Sequence, residues 1–168
     1  MAAQRRKSTG EDITEFYAGD AVALGDDQSV GYLIKLANQV VMRNLDAELQ
    51  HFDLTAPQWV PLLVLSKERA DTVAGCARKI DVDTGAMTRM LDRLEAKGFV
   101  SRNRSDEDRR VVKVELTKAG HEIVKLIPPT ICSVLNSHLR GFSEQEFEIF
   151  KDLLRRFLAN GAADMEET

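Results

Sequence analysis

Asp81-Val82-Asp83-Thr84-Gly85-Ala86-Met87-Thr88-Arg89-Met90-Leu91-Asp92-Arg93-Leu94-Glu95-Ala96-Lys97-Gly98 is the stretch on which the fold turns. Met87, Met90, Leu91 and Leu94 recur at helical spacing and make one apolar face, while Thr84, Gly85, Thr88, Arg89, Asp92 and Arg93 fall on the other. Asp81 or Asp83 starts this helix and Gly98 ends it: an aspartate accepts from the first free amides, and a glycine takes the left-handed cap without steric cost. Upstream, Thr72 caps a shorter helix ending near Ile80, whose Ala74, Gly75 and Ala77 let another helix cross closely. Two short helices joined by Ile80 to Asp83, the second with Thr, Gly and Arg on its polar face, make a helix-turn-helix.

Beyond Gly98 the helical period stops. Phe99 to Arg102 reads as a short strand, Asn103 to Asp108 as turn chemistry, and Val112, Val114 and Leu116 alternate with Val111, Lys113 and Glu115. The expected element is a two-stranded hairpin whose tip, Arg104 to Arg110, is far more charged than a turn requires. A recognition helix with a charged hairpin after it suits duplex DNA, with Thr84, Thr88 and Arg89 near base edges of the major groove and the hairpin in the flanking minor groove. Arg89 has two uses open to it, a guanine edge or a phosphate. Arg93, Arg102, Arg104 and Arg109 complete the set of candidate DNA contacts. Carboxylates at a DNA surface repel it, so Asp108 is read as an internal partner that orients Arg110 or a neighbour on the opposite strand.

Composition agrees with a helical, DNA-directed reading. At 168 residues, 43% hydrophobic and 30% charged, with 10 Gly and 4 Pro, the chain should fold around a core that is mainly helical. No apolar run approaches the ~20 residues that span a bilayer, and the polar start lacks a signal-peptide core, so a soluble, cytoplasmic protein without membrane partners is expected. The net charge of −4 is unevenly spread: Thr72 to Lys113 carries ten Lys+Arg against seven Asp+Glu, leaving −7 on the rest. A local basic face on an acidic body binds phosphate without binding nucleic acid indiscriminately. Cys76 and Cys132 lack metal or redox spacing and are read as buried small apolar residues.

The flanks are helical. Residues 1–28 read as a flexible or loosely docked arm, with room for a short helix from Ile13 to Leu24 and a basic cluster at Arg5, Arg6 and Lys7. From Ser29, Val30, Leu33, Ile34, Ala37, Val41, Leu45 and Leu49 stripe a long helix to about His51. A second row at Tyr32, Leu36 and Val40 widens the stripe beyond what one small neighbour would bury, so a second copy of the chain is expected against it. Thr55-Ala56-Pro57-Gln58 is a capping box opening a helix to about Lys67. Thr117 caps a helix reaching toward Gly141 that Pro128-Pro129 should bend or break. Ser143-Glu144-Gln145-Glu146 opens a last helix, striped by Phe147, Phe150, Leu153, Leu154, Phe157 and Leu158, that should stop before Gly161. The resulting organisation is an arm at 1–28, a helical dimerisation region at 29–55 and 117–160, a winged helix-turn-helix at 56–116 and a frayed tail at 161–168.

At this point the residues resemble a known family. The stretch Asp81 to Gly98 is very similar to the recognition helix of the MarR family of multiple antibiotic resistance and aromatic-compound regulators. Ser105 to Arg110, together with Val114 to Gly120, resembles that family's wing signature, an Asp-Arg-Arg and then a Leu-Thr-x-x-Gly. The resemblance covers about Ser29 to Leu158. It implies a triangular homodimer built on the first, fifth and sixth helices, two recognition helices meeting successive major grooves of a pseudo-palindromic operator, and repression released by a small phenolic or carboxylate ligand. The family's peroxide-sensing branch has a reactive cysteine near the start of the chain, and the first 75 residues here contain none.

An effector pocket on that plan lies where the dimer helices meet the winged domain, with Arg43, His51, Trp59 and His121 as the groups able to hold an aromatic anion. His51, His121 and His138 are not spaced to share a metal, and neither cofactor nor catalytic constellation is read. The competing interpretation is a winged-helix protein-interaction module without DNA binding; Arg89, Arg93, Arg102, Arg104 and Arg109 on one face weigh against it.

Overall fold

A computed structural model describes residues 4–8, 11–17, 29–67, 69–104 and 112–166. The chain divides into two units, residues 1–43 and 44–168.

In the first unit, β1 (Gln4–Ser8) pairs antiparallel with β2 (Glu11–Glu15), Gln4 opposite Glu15 and Ser8 opposite Glu11. Residues 13–15 are therefore strand, not the start of a helix. QRRKS and EDITE contain no apolar row at helical spacing, and Ile13-Thr14 is β-branched, which favours extended backbone. Residues 18–28 lie outside the described residues. The first helix, α1 (Val30–Leu49), starts against two side chains: the Tyr17 phenol oxygen accepts from the Val30 amide at 2.8 Å, and Ser29 Oγ accepts from the Tyr32 amide at 3.3 Å.

The second unit holds the core. The end of α1 buries Leu45 and Leu49, then Gln50–Phe52 tightens into a 3₁₀ turn closed by Asp53 in the left-handed region. Thr55 N donates to Gln58 Oε1 at 3.0 Å, the reciprocal arm expected of the capping box, and the Ala56–Gln58 turn leads into α2 (Trp59–Ser66). Thr72 Oγ1 caps α3 (Val73–Ile80) at Gly75, and Asp83 Oδ1 caps α4 (Thr84–Ala96) at Ala86. Gly98, at φ 75°, ends the helix, with Phe99 N returning to Leu94 O. β3 (Val100–Arg104) then pairs antiparallel with β4 (Val112–Leu116). Leu54, Leu62, Met87, Leu91, Leu94, Val100, Val114 and Ile127 are the centre of this core. A mainly helical winged helix-turn-helix is thus what the chain forms.

Two helices run further than the sequence suggested. α5 (Lys118–His138) continues through Pro128-Pro129. The two prolines forfeit only two amide bonds, while Ile123, Ile127, Ile131 and Val134 stay buried along one face on both sides of them. α6 (Glu144–Glu166) continues through Gly161 and does not stop before it. A glycine without a Schellman partner costs a helix only ~1 kcal/mol, and Ala162-Ala163 restore propensity beyond it. Cys76 is buried as expected, its thiol pushed up by burial and by the nearby Asp71 charge. Cys132 is exposed, because it lies one residue past Ile131 and off the buried row of α5.

The α6 start makes a pH prediction. Glu146 accepts from the Ser143 amide at 2.8 Å and Ser143 Oγ accepts from the Glu146 amide at 3.2 Å. The Ser143 amide and hydroxyl hold the Glu146 carboxyl below its ordinary value. A depressed folded-state value means this contribution is complete above the ordinary carboxylate range and fades as pH falls through Glu146's lowered value. Glu146→Gln, which keeps the shape of the cap but not its charge, should therefore lower Tm at neutral pH and converge on wild type as pH falls through Glu146's lowered value; an equal Tm at neutral pH would mean that the charged cap contributes nothing to stability.

Candidate nucleic-acid interface

Met87, Leu91 and Leu94 anchor α4 inward, which turns Gly85, Arg89 and Arg93 to the exterior. Thr84 is exposed at the helix start and Thr88 is half-buried beside it. Thr88 Oγ1 donates to Thr84 O at 2.7 Å, so its hydroxyl proton is used by the helix and what it offers outward is an acceptor and a methyl group. Gly85 keeps the surface low beside Arg89: a Cβ there would stand 3.1 Å from Asp83 Oδ1 and 3.5 Å from an Arg89 guanidinium nitrogen. The exposed face thus presents two long cations, Arg89 and Arg93, beside the threonines and the bare backbone of Gly85, a set suited to base edges in a groove.

Arg102 does not join that surface. Its guanidinium donates to Asp92 Oδ1 and, at 3.1 Å, to the Thr88 carbonyl; Glu95 Oε2 stands 3.8 Å away. Only 19% of the side chain is exposed, and Nε is buried without a hydrogen-bond partner among the described residues. Arg102 therefore braces β3 against α4 in this structure. The reason is the strand's period of two: Val100 is buried, so Arg102, two residues on and opposite Val114, shares its inward face. Arg104, at the strand end opposite Val112, is exposed. Asp108, Arg109 and Arg110 lie outside the described residues.

Behind the hairpin, residues 69–72 are laced to β4. Val114 N donates to Asp71 O at 2.7 Å, Thr72 bridges Lys113, and Lys113 Nζ lies 3.5 Å from Asp71 Oδ2. On the opposite side, Thr117 Oγ1 donates to Gly98 O at 2.6 Å and accepts from Gly120 N at 3.0 Å, while Thr117 N donates to Phe99 O at 3.1 Å. The Leu-Thr-x-x-Gly run is in this way a joint that fixes the hairpin base against the start of α5.

Of the proposed effector groups, His51 and His121 are exposed and Arg43 is an exposed residue of α1. Trp59 is half-buried, with its indole Nε1 sequestered and unpartnered among the described residues. No hydrogen bond among the described residues joins any two of the four. Sequence reasoning had no means to find the Lys97 bridge, where Nζ donates to Asp53 O and to Gln58 Oε1 at 3.1 Å, tying α4 to the buried carboxamide before α2.

The sequence profile of the MarR family matches residues 54–112. The multiple antibiotic resistance protein MarR of Escherichia coli (strain K12) is 33% identical over 130 residues, covering 77% of this chain and 90% of that protein. The chain belongs to the MarR family. A second relative, the organic hydroperoxide resistance transcriptional regulator of Bacillus subtilis (strain 168), is 31% identical over 125 residues, 73% of this chain and 80% of that one. Among solved structures, a mutant of E. coli MarR complexed with operator DNA superposes with a TM-score of 0.71 at 32% identity, over 77% of this chain and 93% of that one. The matched MarR segment runs from the end of the Gln50–Phe52 turn to the first residue of β4, so it contains α4 and the brace described above. No helix among the described residues is long and apolar enough to cross a membrane.

Proposed function

We propose that this MarR-family chain is a DNA-binding transcriptional regulator, a homodimeric repressor released by a small aromatic acid or phenol. The observation that carries DNA binding is the α4 surface, where exposed Arg89 and Arg93 stand with Thr84 beside the low floor of Gly85 and next to a braced hairpin. That surface suits a major groove, with exposed Arg104 at the end of β3 suiting the flanking backbone. The structural relative bound to operator DNA supports the same docking.

Dimerisation is supported by apolar faces the chain leaves open. Ile149, Phe150, Leu153, Leu154, Phe157 and Leu158 stripe α6, each at least 36% exposed, and Val30, Leu33, Leu36 and Val40 do the same on α1. Patches of this kind rarely stay wet in a monomer. Two chains would offer two recognition helices to a pseudo-palindromic operator. Ligand control is supported by Trp59, whose buried indole N–H, unpartnered among the described residues, is a donor that a carboxylate or phenolate would satisfy. In our reading a bound ligand changes the spacing or orientation of the two winged domains rather than covering the DNA face.

The test is a binding titration of the full chain against the DNA upstream of its own gene, repeated with a panel of aromatic acids. The expected result is two chains per site, with affinity that falls on adding at least one acid. Saturable ligand binding that leaves operator affinity unchanged would sink the repressor-release reading, and absence of any duplex binding would sink the regulator itself.

A further inference from the structure

Outside the α4 face, a cleft of about 340 Å³ is lined by Arg69, Ala70, Asp71, Thr72, Gly75, Arg78 and Lys79. Three of these residues are cations. The single carboxylate, Asp71, already faces Lys113 Nζ at 3.5 Å, so the lining presents a positive excess. Among the described residues no carboxylate lies within 4.0 Å of the charged groups of Arg69, Arg78 or Lys79. The wall is built closely: a Cβ on Gly75 would meet Thr72 Oγ1 at 2.9 Å and the Ala70 Cβ at 3.1 Å, so glycine is what lets the 69–72 segment lie against α3. That segment is in turn pinned to β4 through Val114 N and Asp71 O, and the cleft lies between it and the first helix of the helix-turn-helix.

We propose that this cleft is a phosphate site, in which Arg69, Arg78 and Lys79 hold a backbone phosphate of the bound duplex outside the groove that α4 reads. The inference rests on the DNA-binding reading above and adds to it a binding surface without base specificity. Arg78 and Lys79 lie opposite the buried Cys76 and Ala77 on α3, so core packing of α3 turns them outward together. Arg69 comes from the preceding segment and approaches the same space from the other side. An open, exposed cluster of this kind holds a free monovalent anion weakly because water screens it; a duplex presents its phosphates as a fixed array, so each neutralised phosphate releases counterion and adds to affinity.

The experiment measures affinity for the upstream duplex and for a scrambled duplex across a salt series, using wild type, R78A, R78K and the triple variant R69A/R78A/K79A. The triple variant should weaken binding to both duplexes and reduce the log–log salt slope by about 0.9 for each phosphate it no longer neutralises, while R78K keeps the wild-type slope. All three side chains are exposed, and a thermal melt checks that the triple variant is folded. A folded triple variant with the wild-type slope overturns the site while leaving the regulator intact; a wild type that binds neither duplex overturns both. Inorganic phosphate at matched ionic strength separates the sources: a melting shift in wild type that is missing in the triple variant, with unchanged salt slope, would assign the cleft to a free anion and not to DNA.

Discussion

Gly120→Ala is expected to destabilise the chain by about 3 kcal/mol or more, a fall in Tm of roughly 6–12 °C for a chain of this size. A Cβ on Gly120 would stand 2.0 Å from the Phe99 carbonyl oxygen and 3.1 Å from its carbon, with a Leu116 methyl at 3.2 Å. The obstacle is backbone, so no rotamer change relieves it. Nor can the carbonyl withdraw without cost, because it accepts from Thr117 N, and Thr117 Oγ1 in turn is shared between Gly98 O and the Gly120 amide. Moving Phe99 would unfasten the end of α4, the start of β3 and the cap of α5 together. Gly161→Ala is the control: nothing lies within 4 Å of a Cβ there, and the residue is inside α6. That exchange should be neutral or raise stability by roughly 0.5–1 kcal/mol. Melts at equal protein concentration decide it, since association also moves Tm. A Gly120→Ala protein melting within a degree or two of wild type would mean that the close approach is not enforced.

Gly120 also illustrates what the sequence discloses. The final glycine of Leu-Thr-x-x-Gly is visible as a motif, but its reason, a carbonyl pressed against the helix, exists only once residues 99 and 120 are brought together. Local chemistry is legible throughout: Thr72, Asp83, Thr117 and Ser143 each cap the helix they precede, because a short oxygen-bearing side chain three residues ahead of a free amide acts within its own turn. Rules about breakers transfer less well. Pro128-Pro129 and Gly161 weaken a helix by a fixed local amount, and long helices with a continuous apolar face exceed that amount. The α4 surface is readable from its 3.6-residue period. The pairing of Arg102 with α4 is legible only when its place in a period of two, counted from Val100, is weighed beside its charge. The cleft of Arg69, Arg78 and Lys79 joins the segment between α2 and α3 to α3 itself, a segment that is also pinned to β4, and no spacing in the chain announces that arrangement.

Arg102→Ala is expected to reduce operator affinity about 10- to 100-fold, equivalent to ~1.4–2.8 kcal/mol, while leaving the salt slope nearly unchanged. The guanidinium links Asp92 and the Thr88 carbonyl on α4 to the middle of β3, and so fixes the hairpin relative to the recognition face. Removing it deletes no phosphate contact, because the group is turned inward; the damage is to the pre-arranged angle between two DNA-reading elements, which binding must then restore. Arg104→Ala at the exposed end of the same strand should behave in the opposite sense, with a smaller loss of affinity and a salt slope lower by about 0.9. Arg102→Lys should recover little, since an ammonium cannot reach both acceptors in the planar fork that arginine provides. Asp92→Ala alone unfastens the same brace but also removes a negative charge from near the DNA face, so its affinity loss should be smaller than that of Arg102→Ala. In the double variant the two losses should be well short of additive, because the second substitution finds the link already broken. Additive losses, or a salt slope that falls by about one in Arg102→Ala, would return Arg102 to the DNA surface and leave the hairpin to be held by its buried valines and by its contacts to Asp71 and Thr117.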